Sequence, residues 1–88
     1  MAELESVIDY PLDFPIKVMG LNRPEFAPAM IALAQRHAPD FDPARVETRL
    51  SREGKYVSLT VTINAVSRQQ LDALYQALSE HPMVTMTL

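Results

Sequence analysis

The sequence contains no cysteine, no tryptophan, only two glycines and no long hydrophobic run. The lack of cysteine excludes disulfides, thiol catalysis and cysteine-ligated metal sites. No apolar run approaches the roughly 18 residues of a membrane-spanning helix, so no membrane partner is predicted and a cytoplasmic location is expected. Residues 1–13 carry Glu3, Glu5 and Asp9 but no basic residue, which does not fit a secretory signal.

The composition is that of an ordinary globular domain. Of the 88 residues, 48% are hydrophobic and 22% are charged, which predicts one domain with a modest core. A deep, enclosed active site is not expected at this size. Eight Lys and Arg against eleven Asp and Glu give a net charge of −3, whereas nucleic-acid-binding domains are usually basic. A nucleic-acid partner is therefore not predicted.

Hydrophobic periodicity predicts six elements in the order strand, helix, strand, strand, helix, strand. Residues 1–13 show no period and are predicted to form a flexible acidic arm before a single domain over residues 14–88. The elements are expected as a strand over 14–19, a helix from Pro24 or Glu25 to Ala38, strands over 46–51 and 56–64, a helix from Ser67 to His81, and a strand over 83–88.

This order leaves one dominant arrangement, given short connections and right-handed crossovers. It is the α+β, ferredoxin-like βαββαβ sandwich, in which two helices cover one face of a four-stranded antiparallel sheet. The apolar sets of the strands, with Val84, Met86 and Leu88 on the last one, are predicted to face the helices. The opposite, open face is predicted to carry Lys17, Met19, Glu47, Arg49, Tyr56, Ser58, Thr60, Thr62, Thr85 and Thr87.

Three local signals support these boundaries. Gly20 ends the first strand, where glycine permits a positive φ or a close approach of backbone. Gly54 is expected to supply the positive φ of a hairpin turn between the second and third strands. Ser67 and Gln70 match a capping box, in which the Ser67 hydroxyl serves the Gln70 N–H and the Gln70 side chain reaches back.

Catalytic and metal-binding residues are not evident. His37 and His81 lie near predicted helix C-termini, where the helix dipole favours a cation, and their spacing does not suggest a metal site. Ser51, Ser58 and Ser67 are explained as turn, strand and cap residues. We therefore predict no catalytic residue, no metal and no cofactor, and we do not expect an enzyme.

The turn after the first strand is a candidate ligand site. It places backbone N–H groups at a helix N-terminus, which suits an anion or a carboxylate, and Arg23 adds a charged fork. Gly20, Asn22 and Arg23 are the predicted ligand-binding residues. Glu25 competes with an anionic ligand, and a plain strand-to-helix turn is the alternative interpretation.

A candidate interaction surface lies on the open sheet face. Lys17, Arg49, Lys55 and Tyr56 are predicted to cluster there. RNA-binding sheets of this shape carry several stacking aromatics, whereas this face offers Tyr56 alone. Contact with a protein partner, or self-association into a symmetric dimer, is the better-supported use of the face.

Several segments, in order, resemble the YbeD-like family of small bacterial proteins of unknown function. They are residues 14–20, 35–39, 51–58, 62–65, 74–78 and 84–88, so the resemblance spans about residues 12–88. The family is similar in fold to ACT-type regulatory domains, which are ferredoxin-like and often bind amino acids between subunits. The resemblance thus implies a regulatory or sensing role by analogy, and it brings no catalytic residue.

The ligand-binding turn of ACT-type domains corresponds here to Asn22-Arg23-Pro24, with Glu25 in place of the usual glycine. The resemblance therefore favours a non-enzymatic, ACT-like regulatory or small-molecule-sensing module. A protein–protein interaction adaptor that uses the open sheet face is the alternative. An enzyme or an RNA-binding protein is less well supported.

Overall fold

A computed structural model of the chain describes residues 10–88. Its six main elements follow the predicted order, with a short 3-10 turn at Pro43–Arg45 before the second strand. The predicted arm over residues 1–13 lies largely outside the described residues. The elements are β1 (Leu12–Leu21), α1 (Phe26–His37), β2 (Glu47–Leu50), β3 (Tyr56–Ala65), α2 (Arg68–Glu80) and β4 (Val84–Thr87).

The sheet is antiparallel throughout, in the order β2-β3-β1-β4, and the two helices pack on one of its faces. This arrangement confirms the ferredoxin-like prediction. β1 is longer at both ends than the predicted strand over 14–19, because it pairs with β3 from Leu12↔Ala65 to Leu21↔Tyr56. Backbone pairing thus extends beyond the residues whose alternation of apolar and polar side chains predicts a strand. Neither helix within residues 10–88 is long and apolar enough to cross a bilayer.

The core lies between the sheet and the helices. Every second residue of β1 and β3 faces the helices, and the apolar stripe of each helix meets them. Burying one such aliphatic side chain contributes roughly 1.5–3 kcal/mol, and none of the buried residues described is polar or charged. The main contributors are Ile16, Val18, Val57, Leu59, Val61, Ile63, Phe26, Met30, Ala34, Leu71, Leu74 and Leu78.

Outside the last strand, Leu50 and Phe41 depart from the predicted core. Leu50 was expected to face the helices with the other apolar strand residues, but it is 54% exposed. It lies on β2, at the edge of the sheet, which pairs only with β3. Phe41, in the predicted loop before β2, is instead buried in the core. Loop composition does not reveal such an inward-facing ring.

The last strand corrects the predicted assignment of faces. Met19 pairs with Met86, whereas Gly20 pairs with Val84, so the register shifts by one residue between the two pairs. Met86 therefore lies on the open face beside Met19, and Thr87, which pairs with the buried Val18, faces the helices. A bulge of this kind reverses every side chain on one side of it, which simple alternation does not reveal.

The local signals at Ser67 and Gly54 are confirmed, whereas β1 continues past Gly20 to Leu21. The Ser67 hydroxyl accepts from the Gln70 N–H at 3.0 Å, and the Gln70 side chain accepts from the Val66 N–H at 2.7 Å. Its amide nitrogen also donates to the carbonyl of His37 at 2.9 Å, which ties the start of α2 to the end of α1. Gly54 has a φ of 75°.

Candidate functional site

Gly20, the first predicted ligand residue, is buried beneath α1 rather than presented to solvent. A Cβ at this position would collide with the carbonyl oxygen of Met83 and with the ring of Phe26. Real Cβ atoms do not approach other atoms so closely. Gly20 is therefore required for packing between β1, α1 and the start of β4, and it offers no contact to a ligand.

Asn22, the second predicted ligand residue, is hydrogen-bonded to the β2–β3 hairpin. Its side-chain amide donates to the carbonyl of Gly54 at 3.0 Å, and its backbone N–H donates to the carbonyl of Lys55 at 2.9 Å. These bonds fasten the end of β1 to the hairpin turn. Asn22 thus positions the loop.

Arg23, the third predicted ligand residue, lines a pocket, whereas Gly20 and Asn22 do not. Its side chain lines a hollow of about 280 Å³ between the β1–α1 turn and the α2–β4 turn, which we call the rim pocket. The lining of the rim pocket is Leu21, Arg23, Glu25, Pro82, Met83 and Thr85. Half of that lining comes from residues about 60 positions away in sequence, and no local pattern connects the two segments.

The rim pocket combines both signs of charge with an apolar wall. The Arg23 guanidinium and the Glu25 carboxylate both line it, and within residues 10–88 they form no ion pair with each other or with another side chain. Leu21, Pro82 and Met83 supply apolar surface. Such a lining can hold a carboxylate at one side, an ammonium at the other and a short aliphatic group between them.

The predicted interaction surface is brought together by the sheet. Lys17 and Arg49 line one shallow hollow of about 340 Å³ with Glu47, Ser58 and Thr60. This hollow lies on the open face, where Lys17 and Glu47 both pair with Thr60, and Arg49 pairs with Ser58.

A second hollow, of about 130 Å³, continues the surface toward the hairpin. Arg49 and Tyr56 both line it, together with Met19. The ammonium of Lys55 lies over the Tyr56 ring, 5.6 Å from the ring centre, at a distance typical of a cation–π contact. Lys17, Arg49, Lys55 and Tyr56 therefore form one continuous surface, which we call the basic strip.

The opposite end of the open face is closed by an ion pair. Arg45 donates to both carboxylate oxygens of Asp13, at 3.2 and 3.4 Å. The hydrogen bond and, after it, the charge of Asp13 raise the pKa of Arg45 above its ordinary value. Both side chains are about half exposed, so the pair adds little stability. The pair nevertheless neutralises the charge of Arg45, whereas the cations of the basic strip have no carboxylate partner within residues 10–88.

The described residues include no cluster of metal ligands, and His81 and Tyr75 make structural contacts. Within residues 10–88, no three His, Cys, Asp or Glu side chains lie close enough to hold a metal ion. The Nδ1 atom of His81 accepts from the backbone N–H of Met83 at 3.1 Å, which stabilises the turn into β4. Tyr75 contacts Phe14 edge to face, with ring centres 6.4 Å apart, and partial burial raises the pKa of its phenol.

The chain is similar to a family of proteins and to several of its bacterial members. Residues 5–88 match the model of a family described as protein of unknown function, DUF493. A UPF0250 protein of Nitrosomonas europaea is 56% identical over 84 residues, which cover 96% of this chain and 97% of that protein. A UPF0250 protein of Bordetella pertussis is 55% identical over 84 residues, covering 96% and 92%.

A solved structure supports the fold. The chain is similar to the solution structure of protein HP0495 from H. pylori, with a TM-score of 0.76 and 19% sequence identity. The similarity covers 93% of this chain and 86% of that one. At this level of identity the likeness establishes the shared fold.

Proposed function

This chain belongs to the DUF493 family of proteins of unknown function, and on that premise we propose that it is a non-enzymatic regulatory module whose rim pocket binds a small zwitterion of amino-acid size. One observation carries the proposal: Arg23 and Glu25, of opposite charge and unpaired within residues 10–88, line the same hollow of about 280 Å³. A ligand with a single charge leaves one of these groups without a partner, whereas a zwitterion matches both.

The apolar wall and the fold add to this proposal. Leu21, Pro82 and Met83 are suited to a short aliphatic side chain. Asn22-Arg23-Pro24 resembles the turn at which ACT-type domains bind their ligands, and this resemblance favours regulation over catalysis by analogy. Glu25 opposes a purely anionic ligand but serves as the partner of an ammonium group.

The test is a thermal-shift screen against the common amino acids. Each is compared with its deaminated acid and its decarboxylated amine. A ligand at about 100 times its Kd stabilises by about 2.7 kcal/mol, and each kcal/mol raises the Tm of a domain of this size by roughly 4–8 °C. We expect a shift of that order with one amino acid and a much smaller shift with either singly charged analogue.

Variants localise the effect. Arg23→Ala and Glu25→Gln are each expected to abolish the shift, whereas Arg36→Ala, at an exposed position on α1, retains it. A screen without any shift, or a shift that survives both pocket variants, contradicts the proposal.

A second candidate function, an interaction adaptor, is favoured by a separate observation. The basic strip collects Lys17, Arg49, Lys55 and Tyr56 on one open surface. Tyr56→Ala should weaken binding of a protein partner to this surface by at least about tenfold, as loss of a central aromatic contact commonly does. The rim-pocket ligand should still stabilise that variant, so one substitution distinguishes the two functions.

A further inference from the structure

We infer that the basic strip is a docking surface for an extended, acidic segment of a partner protein. The inference rests on the second candidate function, the adaptor, and adds the chemistry of its partner. It is independent of the rim pocket, which lies at the turns that end β1 and precede β4.

Charge is the first argument. The chain has a net charge of −3, yet Lys17, Arg49 and Lys55 lie along one surface and form no salt bridge within residues 10–88. Glu47 is the acidic residue that shares their hollow. The strip is thus locally cationic on an otherwise acidic protein, which favours an anionic partner and steers its approach.

The shape of the surface selects an extended segment. Lys17 and Arg49 lie on strands that flank β3 and are offset by two residues along it, so their backbones are roughly 12 Å apart. The hydroxyl groups of Ser58 and Thr60 lie between them. In an extended peptide, alternate side chains point to the same side at intervals of roughly 6.6 Å. Acidic residues at alternate positions would therefore meet the long cationic side chains while the peptide crosses the strands.

Apolar contacts flank these charges. Met19, Tyr56 and Met86 lie on the same face, and Tyr56 and Met86 are 37% and 51% exposed. They offer anchoring surface to apolar residues of the same segment. Aromatic residues, methionine and arginine are enriched in protein–protein interfaces.

A second copy of the chain fits this surface less well. Two like surfaces pair stably only where their charges are complementary, because like charges placed opposite each other are costly. Face-to-face pairing brings two cationic strips together.

A nucleic acid fits less well too. Tyr56 is the sole aromatic ring on the described part of the open face, whereas single-stranded nucleic acids are held by several stacked rings. A protein segment that alternates acidic and apolar residues needs no second ring, and its apolar residues also match Met19 and Met86 on this face.

The experiment measures fluorescence anisotropy of three labelled peptides of about nine residues, which alternate valine with glutamate, glutamine or lysine. The protein is the full chain. We expect the glutamate peptide to bind at least about fivefold more tightly than the other two, and its binding to weaken as salt rises from about 50 to about 300 mM.

Arg49→Glu and Lys17→Glu test the location. Each should weaken the glutamate peptide about tenfold. Arg36→Glu makes the same change of net charge at an exposed position on α1, on the helical side of the sheet, and should leave binding unchanged. Circular dichroism confirms that each variant is folded.

Each other outcome overturns the inference in a recognisable way. Equal binding of the glutamine and glutamate peptides would contradict an acidic partner but would still support the adaptor function. If no peptide binds, both the acidic partner and the adaptor function are contradicted. Tighter binding of a labelled oligouridine assigns the strip to RNA. A dimer, detected by light scattering and lost in Arg49→Glu, assigns it to self-association.

Discussion

Ile16 and Lys17 are neighbours on β1, yet Ile16 is completely buried and Lys17 is exposed. On β3, Leu59 is likewise completely buried, whereas Thr60 beside it is only partly buried. One face of the sheet is covered by two helices and contains no buried polar residue among those described. The other face carries hydroxyls, cations and the exposed Met86. The covered face supplies stability, because its apolar area is removed from water. The open face is free of packing constraints and is available for contacts.

The rim pocket lies at the boundary between the covered face and the open face of the sheet. Gly20 belongs to the covered face and is crowded by Phe26 and Met83, while Arg23, three residues later, is exposed. The chain passes from structural to exposed positions within one turn. This proximity explains why a sequence pattern that spans the turn mixes residues of both kinds.

The largest expected effect contrasts the two faces directly. Leu59→Ala removes a completely buried side chain and should lower the free energy of unfolding by about 2–5 kcal/mol. Thr60→Ala, on the open side of the same strand, should cost about 1 kcal/mol or less. Urea denaturation measures both, and Ile63→Val, expected to cost about 1 kcal/mol, serves if Leu59→Ala does not fold. Similar losses for Leu59→Ala and Thr60→Ala would contradict the division of the sheet.

An intermediate effect separates crowding from backbone strain at the two glycines. Gly20→Ala should cost about 1–3 kcal/mol, because the added Cβ has no space. Gly54→Ala should cost about 1 kcal/mol, because Gly54 has a φ of +75° but nothing within 4 Å of the added Cβ.

Asparagine tells the two causes apart. It tolerates positive φ, so Gly54→Asn should recover part of the loss, whereas the larger side chain of Gly20→Asn should be worse than Gly20→Ala. Urea midpoints of the four variants provide the measurement. Recovery at Gly20 would show that the site is not crowded.

The smallest expected effect is a pH dependence at the margin of the covered face. Burial raises the pKa of the folded-state Tyr75 phenol above 10.0. The unfolded chain therefore loses this proton first, and the stabilisation from the neutral phenol is complete below pH 10 and is lost as the pH rises through the raised pKa.

Urea midpoints between about pH 8 and about pH 11 should decline less steeply for Tyr75→Phe than for the unmodified chain. Tyr56→Phe, on the open face, provides the matched control and should keep the decline. Parallel curves for Tyr75→Phe and the unmodified chain would exclude the effect.

Much of the fold was accessible from local patterns. The alternation over β3, the capping pair Ser67 and Gln70, and the positive φ of Gly54 each depend on neighbours in sequence, and each is confirmed. The face assignment of Met86 was wrong because a bulge shifts the register of β4 against β1. A bulge is decided by the pairing of two distant strands, and β4 alone carries no sign of it.

The candidate site was accessible only in part. Arg23 lines the rim pocket, and its role in ligand binding stays a prediction. Gly20 and Asn22 have structural roles that depend on Met83 and Gly54. Assignment to one face of the sheet brings Lys17, Arg49 and Tyr56 together, and the use of this surface by a partner stays a prediction.

The sequence by itself determined the six elements, the covered face and the cationic character of the open one, because periodicity and charge are properties of neighbouring residues. Only the tertiary structure decided which polar groups were already occupied. Asn22 is bonded to the hairpin and Asp13 to Arg45, while Arg23 and Glu25 face a shared hollow. Hydrogen bonds and pockets join segments that are far apart along the chain, and their partners are established only when the sheet brings those segments together.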